Sequence, residues 1–299
     1  MDIRTLLVMC ICATAFVGVL MLLYRSRQIV YPGFGHWIAA CFFLSLGFLF
    51  IVLRGAIPLA ASALVGNGLF MTGASLRLDG TRRFLNRPKL PEPYYYLLLI
   101  PMAGLAWYLF ARDAISIRTA IISLVFVILA FSIAWELLCH APSESPLVYR
   151  TAAVMHLVFC VITTARSLIW LIAPNNQMLT PTFLNVLYFF LLSLFEVGYG
   201  MCFMMMNNER VEEDLRSSER NLREKNAELA RAISEVKTLS GLLPICAHCK
   251  MIRNDTGYWQ RIEHYIQEHS DAQFSHGICP DCMRKLYPEV ADELDEEGK

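Results

Sequence analysis

Charged residues are scarce in this chain. Asp, Glu, Lys and Arg make up 17% of the 299 residues, whereas hydrophobic residues make up 56%, and the mean hydropathy is +0.45. A typical soluble domain carries about 25% charged residues. The composition therefore excludes an ordinary soluble protein of this size, and we expect much of the chain to lie in lipid.

A net charge is also absent, since 26 Lys and Arg balance 26 Asp and Glu. The balance differs along the chain: residues 1–206 carry 13 cations against 7 anions, and residues 207–299 carry 13 against 19. The basic excess belongs to membrane flanks and the acidic excess to a soluble tail. This pattern argues against nucleic acid as a partner.

Seven apolar segments have the length needed to cross a bilayer. The first is too long for the apolar region of a signal peptide and has no small-residue cleavage site at its end, so we expect it to be retained. The predicted transmembrane helices are residues 3–24, 34–53, 57–76, 94–111, 115–138, 149–173 and 182–206.

The loops between these segments predict the orientation, because cytoplasmic loops are enriched in Lys and Arg. One set of connections contains Arg25, Arg27, Arg77, Arg82, Arg83, Arg87, Lys89 and Arg150. The other set, with the N-terminus, contains only Arg4, Arg54, Arg112 and Arg118. We therefore predict a multi-pass protein of the bacterial inner (cytoplasmic) membrane, with the N-terminus outside and the C-terminus in the cytoplasm.

Three ionisable residues lie inside predicted spans, where each costs about 2.5–3.5 kcal/mol unless it is paired or hydrated. His156 and Arg166 are in the sixth span and Glu196 is in the seventh. At about 1.5 Å per residue, Glu196 lies between the other two in depth and could pair with either. These residues predict a ligand or proton pocket, or alternatively an ion pair that locks two helices.

Proline and glycine are absent from residues 207–240, which consist mainly of charged helix formers. Leu215, Leu222, Leu229 and Val236 recur every seven residues, which is typical of a coiled coil. The other core position of the seven-residue repeat is occupied by Val211, Ser218, Lys225, Ala232 and Leu239. Ser218 and Lys225 are polar and would weaken the pairing of two helices. We predict a parallel homodimer through residues 207–241, with a single solvated helix as the alternative.

Cysteine is concentrated in two C-x-x-C pairs near the C-terminus, Cys246 with Cys249 and Cys279 with Cys282. Two such turns can supply four thiolates to one tetrahedral Zn²⁺. The segment between them is too small to fold alone, so a structural zinc ion would supply much of its folding energy. A redox-active dithiol is the alternative.

The stretch with LPICAHCKMIRND, GYW, FSHGICP and KLYPE resembles a C-terminal cassette of bacterial signalling proteins. This resemblance implies a signalling context and metal binding at Cys246, Cys249, Cys279 and Cys282, but no biochemical activity. The stretches DIRTLL, LLYRSRQIVYPGFGHW, LRGAIP, GNGLF and TRRFLNRP are similar to the seven-helix input region that precedes some diguanylate cyclase domains. That implies a sensory role, whereas the GGDEF and EAL motifs are absent from this sequence.

The sequence thus predicts an all-α integral membrane protein with four parts. These are a sensory membrane domain (1–206), a coiled-coil helix (207–241), a Cys₄ zinc module (242–290) and a disordered acidic tail (291–299). We expect a signal-transduction receptor that acts on a cytoplasmic signalling protein. In the alternative, the Cys₄ site itself senses zinc or oxidants. No nucleophile–base pair or phosphate loop stands out, so we predict no enzymatic activity.

Overall fold

The computed structural model describes residues 2–112, 114–142, 146–172, 182–235, 243–254 and 256–289. It is 78% helical. The chain divides into two compact units, Met1–Ser217 and Ser218–Lys299. Each unit is described by itself below.

The first unit is a bundle of long helices whose bounds lie close to the predicted spans. Six helical segments are long and apolar enough to cross a membrane: Ile3–Arg27, Phe34–Val52, Glu92–Phe110, Ile115–Cys139, Leu147–Ile172 and Phe183–Ile233. The prediction of a helical membrane protein is confirmed at this level. The helices are α1 (Ile3–Arg27), α2 (Phe34–Val52), α3 (Gly66–Phe84), α4 (Glu92–Leu97), α5 (Leu99–Phe110), α6 (Ile115–Cys139), α7 (Pro146–Ile172) and α8 (Phe183–Glu235).

The predicted third span, 57–76, is not among these six segments. It begins with a π-helical turn, Ala61–Val65, and continues as α3 well past the predicted end. The second half of α3 carries Arg77, Asp79, Arg82 and Arg83, which lower its hydropathy. This helix is therefore more polar than a simple span, and it brings charges into the bundle.

Side chains are sorted as expected for helices that face lipid. Large apolar residues such as Phe110 and Ile172 are 72% and 83% exposed, whereas Trp37 and Tyr199 are each 1% exposed. The ring of Trp37 on α2 stacks on Phe203 of α8 with centroids 3.6 Å apart. Exposed apolar surface on this scale is unusual for a soluble monomer and is suited to a bilayer.

Glycine allows the α1–α2 loop to approach α3 very closely. Gly33 has φ +96°, and a Cβ there would lie 2.1 Å from the carbonyl oxygen of Gly80. Both the backbone conformation and the space at residue 33 therefore favour glycine. This contact fixes the turn between α1 and α2 against α3.

Helix α8 is a single 53-residue element, so the predicted boundary at residue 206 falls inside it. Beyond residue 207 its surface carries spaced ion pairs, such as Glu212–Arg216 at 2.5 Å and Lys225–Glu228 at 2.8 Å. Leu215, Leu222 and Leu229 are 58–62% exposed. Val236, Leu239 and the acidic tail 291–299 lie outside the described residues.

The second unit contains, after the end of α8, a small module that is not purely helical. Strand β1 (Ile252–Arg253) pairs antiparallel with β2 (Trp259–Gln260), followed by α9 (Ile262–His269) and α10 (Pro280–Leu286). In the sequence, Tyr258, Trp259, Ile262, Tyr265 and Ile266 recur at helical spacing and predict one helix. That prediction is wrong for Trp259, which lies in β2. The turn is closed by Asn254, whose Oδ1 accepts a hydrogen bond from the Tyr258 N–H at 2.8 Å.

Candidate functional site

The centre of the membrane unit contains a buried ion pair between α3 and α8. Arg77 Nη1 donates to Glu196 Oε1 at 3.1 Å, and Nη2 donates to Oε2 of the same carboxylate. The two side chains are only 8% and 6% exposed. The sequence predicts Arg166 or His156 as the partner of Glu196, but the structure provides Arg77. A bidentate contact of this kind fixes both the depth and the rotation of one helix against the other.

His156 is a packed core residue in the structure. It is 2% exposed, and its Nδ1 lies 2.8 Å from the carbonyl oxygen of Ala152, one turn earlier in α7. The ring meets Tyr199 at 4.1 Å and Phe195 at 5.3 Å between centroids. His156 therefore contacts α8 through the rings of Phe195 and Tyr199, which lie one residue before and three residues after Glu196. It forms no ion pair within the described part of the chain.

Arg166 has an aromatic environment. Its guanidinium carbon lies 4.1 Å from the centroid of Tyr188, 5.3 Å from Trp170 and 5.5 Å from Phe189. Its Nε and Nη2 are buried and have no hydrogen-bond partner in the structure as described. Cation–π contacts offset part of the cost of burying this charge, by about 0.5–2 kcal/mol each.

Arg77, His156, Arg166 and Glu196 all line one cavity of about 160 Å³. The remaining lining is mostly apolar and comes from α2, α3, α6, α7 and α8, with Arg54 and Arg118 also contributing. The structure therefore brings the three predicted residues to one site without pairing them with one another. Sequence reasoning missed Arg77, which lies one residue beyond the predicted third span. The absence of proline between Arg77 and Phe84 could have indicated that the helix continues.

Where α8 leaves the bundle, it is held by the α1–α2 loop. Asn207 is fully buried. Its Nδ2 donates to Tyr24 Oη at 3.0 Å and to the Ile29 carbonyl at 2.9 Å, and its Oδ1 accepts from the Tyr31 N–H at 3.1 Å. One buried amide thus ties α8 to the end of α1 and the start of the loop.

The next turn of α8 repeats this attachment. The Arg210 guanidinium lies 4.1 Å from the centroid of Tyr31 and donates to the carbonyl oxygen of Phe84, and the Tyr31 hydroxyl donates to Asp214. Burial, and then the Asp214 carboxylate, raise the pKa of Tyr31 to about 12. The hydroxyl therefore keeps its proton, and with it this hydrogen bond, throughout the physiological range.

The first cysteine turn has a defined backbone. The Cys246 N–H donates to the Met251 carbonyl at 2.8 Å, the Lys250 N–H donates to the Cys246 carbonyl at 3.0 Å, and Lys250 has φ +61°. Ile252, just beyond, is fully buried. The backbone N–H groups of Cys249 and then His248 lower the pKa of the Cys246 thiol. The turn thus favours the thiolate, which is the form that binds metal.

The second cysteine pair lies at the start of α10. Cys279 is the residue before the helix and Cys282 lies in its first turn, where the backbone N–H of Cys282 lowers the pKa of the Cys279 thiol. Three or more His, Cys, Asp or Glu side chains do not gather as a metal site anywhere in the described ranges. Each C-x-x-C therefore lies in defined local backbone structure, but the four thiols are not brought together as one metal site in the described residues.

The four thiols are accessible: Cys246 is half-buried, and Cys249, Cys279 and Cys282 are exposed. As a donor set, four cysteines in two C-x-x-C turns fit Zn²⁺, and closing the site requires the two turns to meet. Comparisons with models of protein families, with curated proteins and with solved structures found no match. Both resemblances noted from the sequence remain predictions.

Proposed function

We propose that this chain is a signal-transduction receptor of the bacterial inner membrane. In this proposal the membrane domain receives the cue, α8 carries it, and the cysteine module presents a surface to a cytoplasmic signalling protein. The observation that carries the proposal is the continuity of α8, a single helix from Phe183 to Glu235. The same helix holds Glu196 of the buried pair and, further along, the exposed leucines.

A helix of this kind is suited to relay a change. The Arg77–Glu196 contact and the Asn207 contacts both fix the rotation of α8, so a ligand that alters either contact would favour a different rotation. Such a rotation changes which face of the helix beyond residue 217 meets a partner. Leu215, Leu222 and Leu229 form the face that responds.

The partner of that face, in the proposal, is a second copy of the chain. Three leucines at seven-residue intervals, each more than half exposed, are suited to a parallel two-stranded coiled coil. Ser218 and Lys225 beside them would make the pairing weak enough to change. We therefore propose a homodimer through residues 207–241.

The cysteine module is proposed to hold one structural Zn²⁺ through Cys246, Cys249, Cys279 and Cys282. The ion would join the two turns, because each turn supplies only two of the four ligands that a closed tetrahedral site needs. Its described core is small, with Ile252 and Tyr265 as the buried apolar residues of the second unit. A core of this size is typical of modules that depend on a metal for folding.

The orientation is proposed from the loop cations, with the N-terminus outside and the module in the cytoplasm. Arg77 lies in the buried pair inside the bundle and is left out of this count. The cations at the helix ends and in the loops of the first set still outnumber those of the other set: Arg25, Arg27, Arg82, Arg83, Arg87, Lys89 and Arg150. A reducing cytoplasm would keep the four thiols available for metal rather than for disulfides.

The test of the receptor proposal measures whether breaking the buried pair changes the helix beyond the membrane. Benzoylphenylalanine replaces Leu229, and photo-crosslinking between two copies is quantified in native membranes for the parent, Arg77→Gln and Glu196→Gln. We expect both variants to change the yield in the same direction.

Arg82→Gln is the matched control, because Arg82 pairs with Glu136 at 2.5 Å and so joins α3 to α6 instead of to α8. It should leave the yield unchanged. Equal yields in all four proteins, or the same change in Arg82→Gln, would contradict a relay through α8.

A second candidate function makes the cysteine module the input. The accessibility of the four thiols favours it, because redox- and metal-sensing cysteines must be reached from solvent. Zinc affinity measured by competition with a chelator decides between the two. An affinity weaker than cytosolic zinc buffering, or rapid metal release on mild oxidation, supports the sensor, whereas tight and oxidation-resistant binding rejects it.

A further inference from the structure

Arg166 lines the central cavity with part of its hydrogen-bonding capacity unused in the described structure. Its Nε and Nη2 are buried without a hydrogen-bond partner, whereas Arg77 makes a bidentate contact with Glu196. Nε and Nη2 lie on the same edge of the guanidinium plane. That edge is the fork that receives the two oxygens of a carboxylate.

Arg166 also lines an apolar compartment. The cavity of about 160 Å³ on one side is lined largely by aliphatic and aromatic residues from five helices. An apolar cavity of about 150 Å³ is large enough for a benzene ring. The site therefore combines one unsatisfied cation with space for an apolar body of that size.

Two further openings between α7 and α8 meet at the same place. One is a groove of about 240 Å³ that Arg166 and Tyr188 both line, and the other is a groove of about 480 Å³ lined by Tyr188. Their walls include exposed residues such as Val161 and Leu194. A longer apolar chain could therefore extend from Arg166 along the outside of α7 and α8.

We propose that the membrane domain binds a carboxylate with an apolar body, held by the Nε and Nη2 fork of Arg166. A monoanion matches the fork of Arg166 because one guanidinium neutralises one negative charge. Arg77 and Glu196 already neutralise each other, and Arg54 and Arg118, which also line the cavity, have interactions of their own. Tyr188, Trp170 and Phe189 hold the plane of the guanidinium so that the fork keeps its direction. This inference names the class of input for the proposed receptor, and binding itself does not depend on the relay.

The carboxylate has two possible sources, and the experiment separates them. The full chain is placed in phosphatidylcholine nanodiscs, which contain no anionic lipid, and binding of radiolabelled benzoate and of radiolabelled laurate is measured against empty discs. Benzoate represents a water-borne acid that fits the cavity, and laurate represents a fatty acid from the bilayer. Benzyl alcohol and dodecanol are the uncharged counterparts.

We expect saturable binding of at least one acid, with its uncharged counterpart about tenfold or more weaker. Arg166→Gln should lose the acid by a similar factor, and Arg220→Gln, on the exposed part of α8, should retain it. Arg166→Gln should also melt at or above the temperature of the ligand-free parent, because this substitution removes a buried charge that has no acidic partner. A purely structural arginine would instead lower the melting temperature.

The proposal is overturned if neither acid binds saturably to the parent, or if acid and alcohol bind equally. It is also overturned if a folded Arg166→Gln protein binds the acid as well as the parent does. If Arg166→Gln does not fold, the comparison of acid with alcohol on the parent still decides. Acid binding without any change in the crosslinking yield at residue 229 would reject the relay and leave the binding site intact.

Discussion

Single buried charges determine how the membrane helices fit together, because each needs a partner from a distant part of the chain. Glu196 is met by Arg77, 119 positions earlier. Glu136 on α6 is met by Arg82 on α3 and by His140 at 3.1 Å. These contacts link α3 to α8 and to α6, so α3 carries much of the polar interior of the bundle.

Removing one member of the Arg77–Glu196 pair should be more damaging than removing both. We expect Arg77→Leu and Glu196→Leu each to lower the free energy of unfolding by about 3–5 kcal/mol, since each leaves an uncompensated buried charge. The double variant should lose less than either single variant. Unfolding in mixed micelles, followed by tryptophan fluorescence, measures this, with Arg220→Leu as the surface control. Additive losses would contradict a direct pair.

Gly33→Ala tests the close approach of the α1–α2 loop to α3. The added Cβ would require φ +96° in a non-glycine residue and would lie 2.1 Å from the Gly80 carbonyl oxygen. We expect a loss of about 2 kcal/mol or more in the same unfolding assay. In Gly68→Ala the nearest atom is 3.8 Å away, so that control should keep the stability of the parent. A stable Gly33→Ala protein would show that the loop can move away from α3.

At the scale of elements, α8 changes character along its length without a break. Its first half is packed among α1, α2, α3 and α7 through Phe189, Glu196, Tyr199 and Phe203. Asn207 and Arg210 then hold it to the α1–α2 loop, and from there on its side chains are mostly exposed. The attachment through Asn207 and Arg210 lies at the point where the side chains of α8 become mostly exposed.

The exposed part of α8 should pair along one face only. With benzoylphenylalanine in place of Leu222, irradiation of membranes should give a covalent dimer, because residue 222 lies in the leucine column. Residue 224 is about 200° further around the helix, so the same probe in place of Glu224 should give little product. Equal yields at both positions would favour a single solvated helix and would remove the dimer from the proposal.

At the scale of the whole molecule, the division into two compact units predicts separate responses to metal. The full chain should contain about one zinc, and the double variant Cys246→Ser, Cys249→Ser should contain none. Chelation should remove amide protection from the β1–β2 hairpin while the melting temperature of the membrane domain stays unchanged. Zinc content is measured by mass spectrometry on the purified protein. A metal-free parent with reversibly pairing thiols would support the redox alternative.

Six of the seven predicted spans could be found from hydropathy, because burial in lipid needs only a long apolar stretch. The third was predicted less well, since α3 mixes apolar residues with Arg77 and Asp79, and hydropathy does not tell whether a charge faces water or a partner. Spacing identified the cysteine pairs, and the seven-residue leucine repeat indicated a helix. The partner of Glu196 could not be predicted, because it depends on how α3 and α8 are rotated about their axes, and no pattern in the sequence specifies that rotation. The hairpin was missed because Tyr258 and Trp259 also fit a helical repeat.

The central claim is that the state of the buried pair is transmitted along α8. Hydrogen–deuterium exchange of the full chain in nanodiscs measures this directly in the amides of residues 218–235, which are remote in sequence from the altered side chains. We predict a several-fold change in exchange there for Glu196→Gln and for Arg77→Gln, and none for Arg82→Gln. Unchanged exchange beyond residue 217 in the first two variants, with the bundle still folded, would contradict the relay.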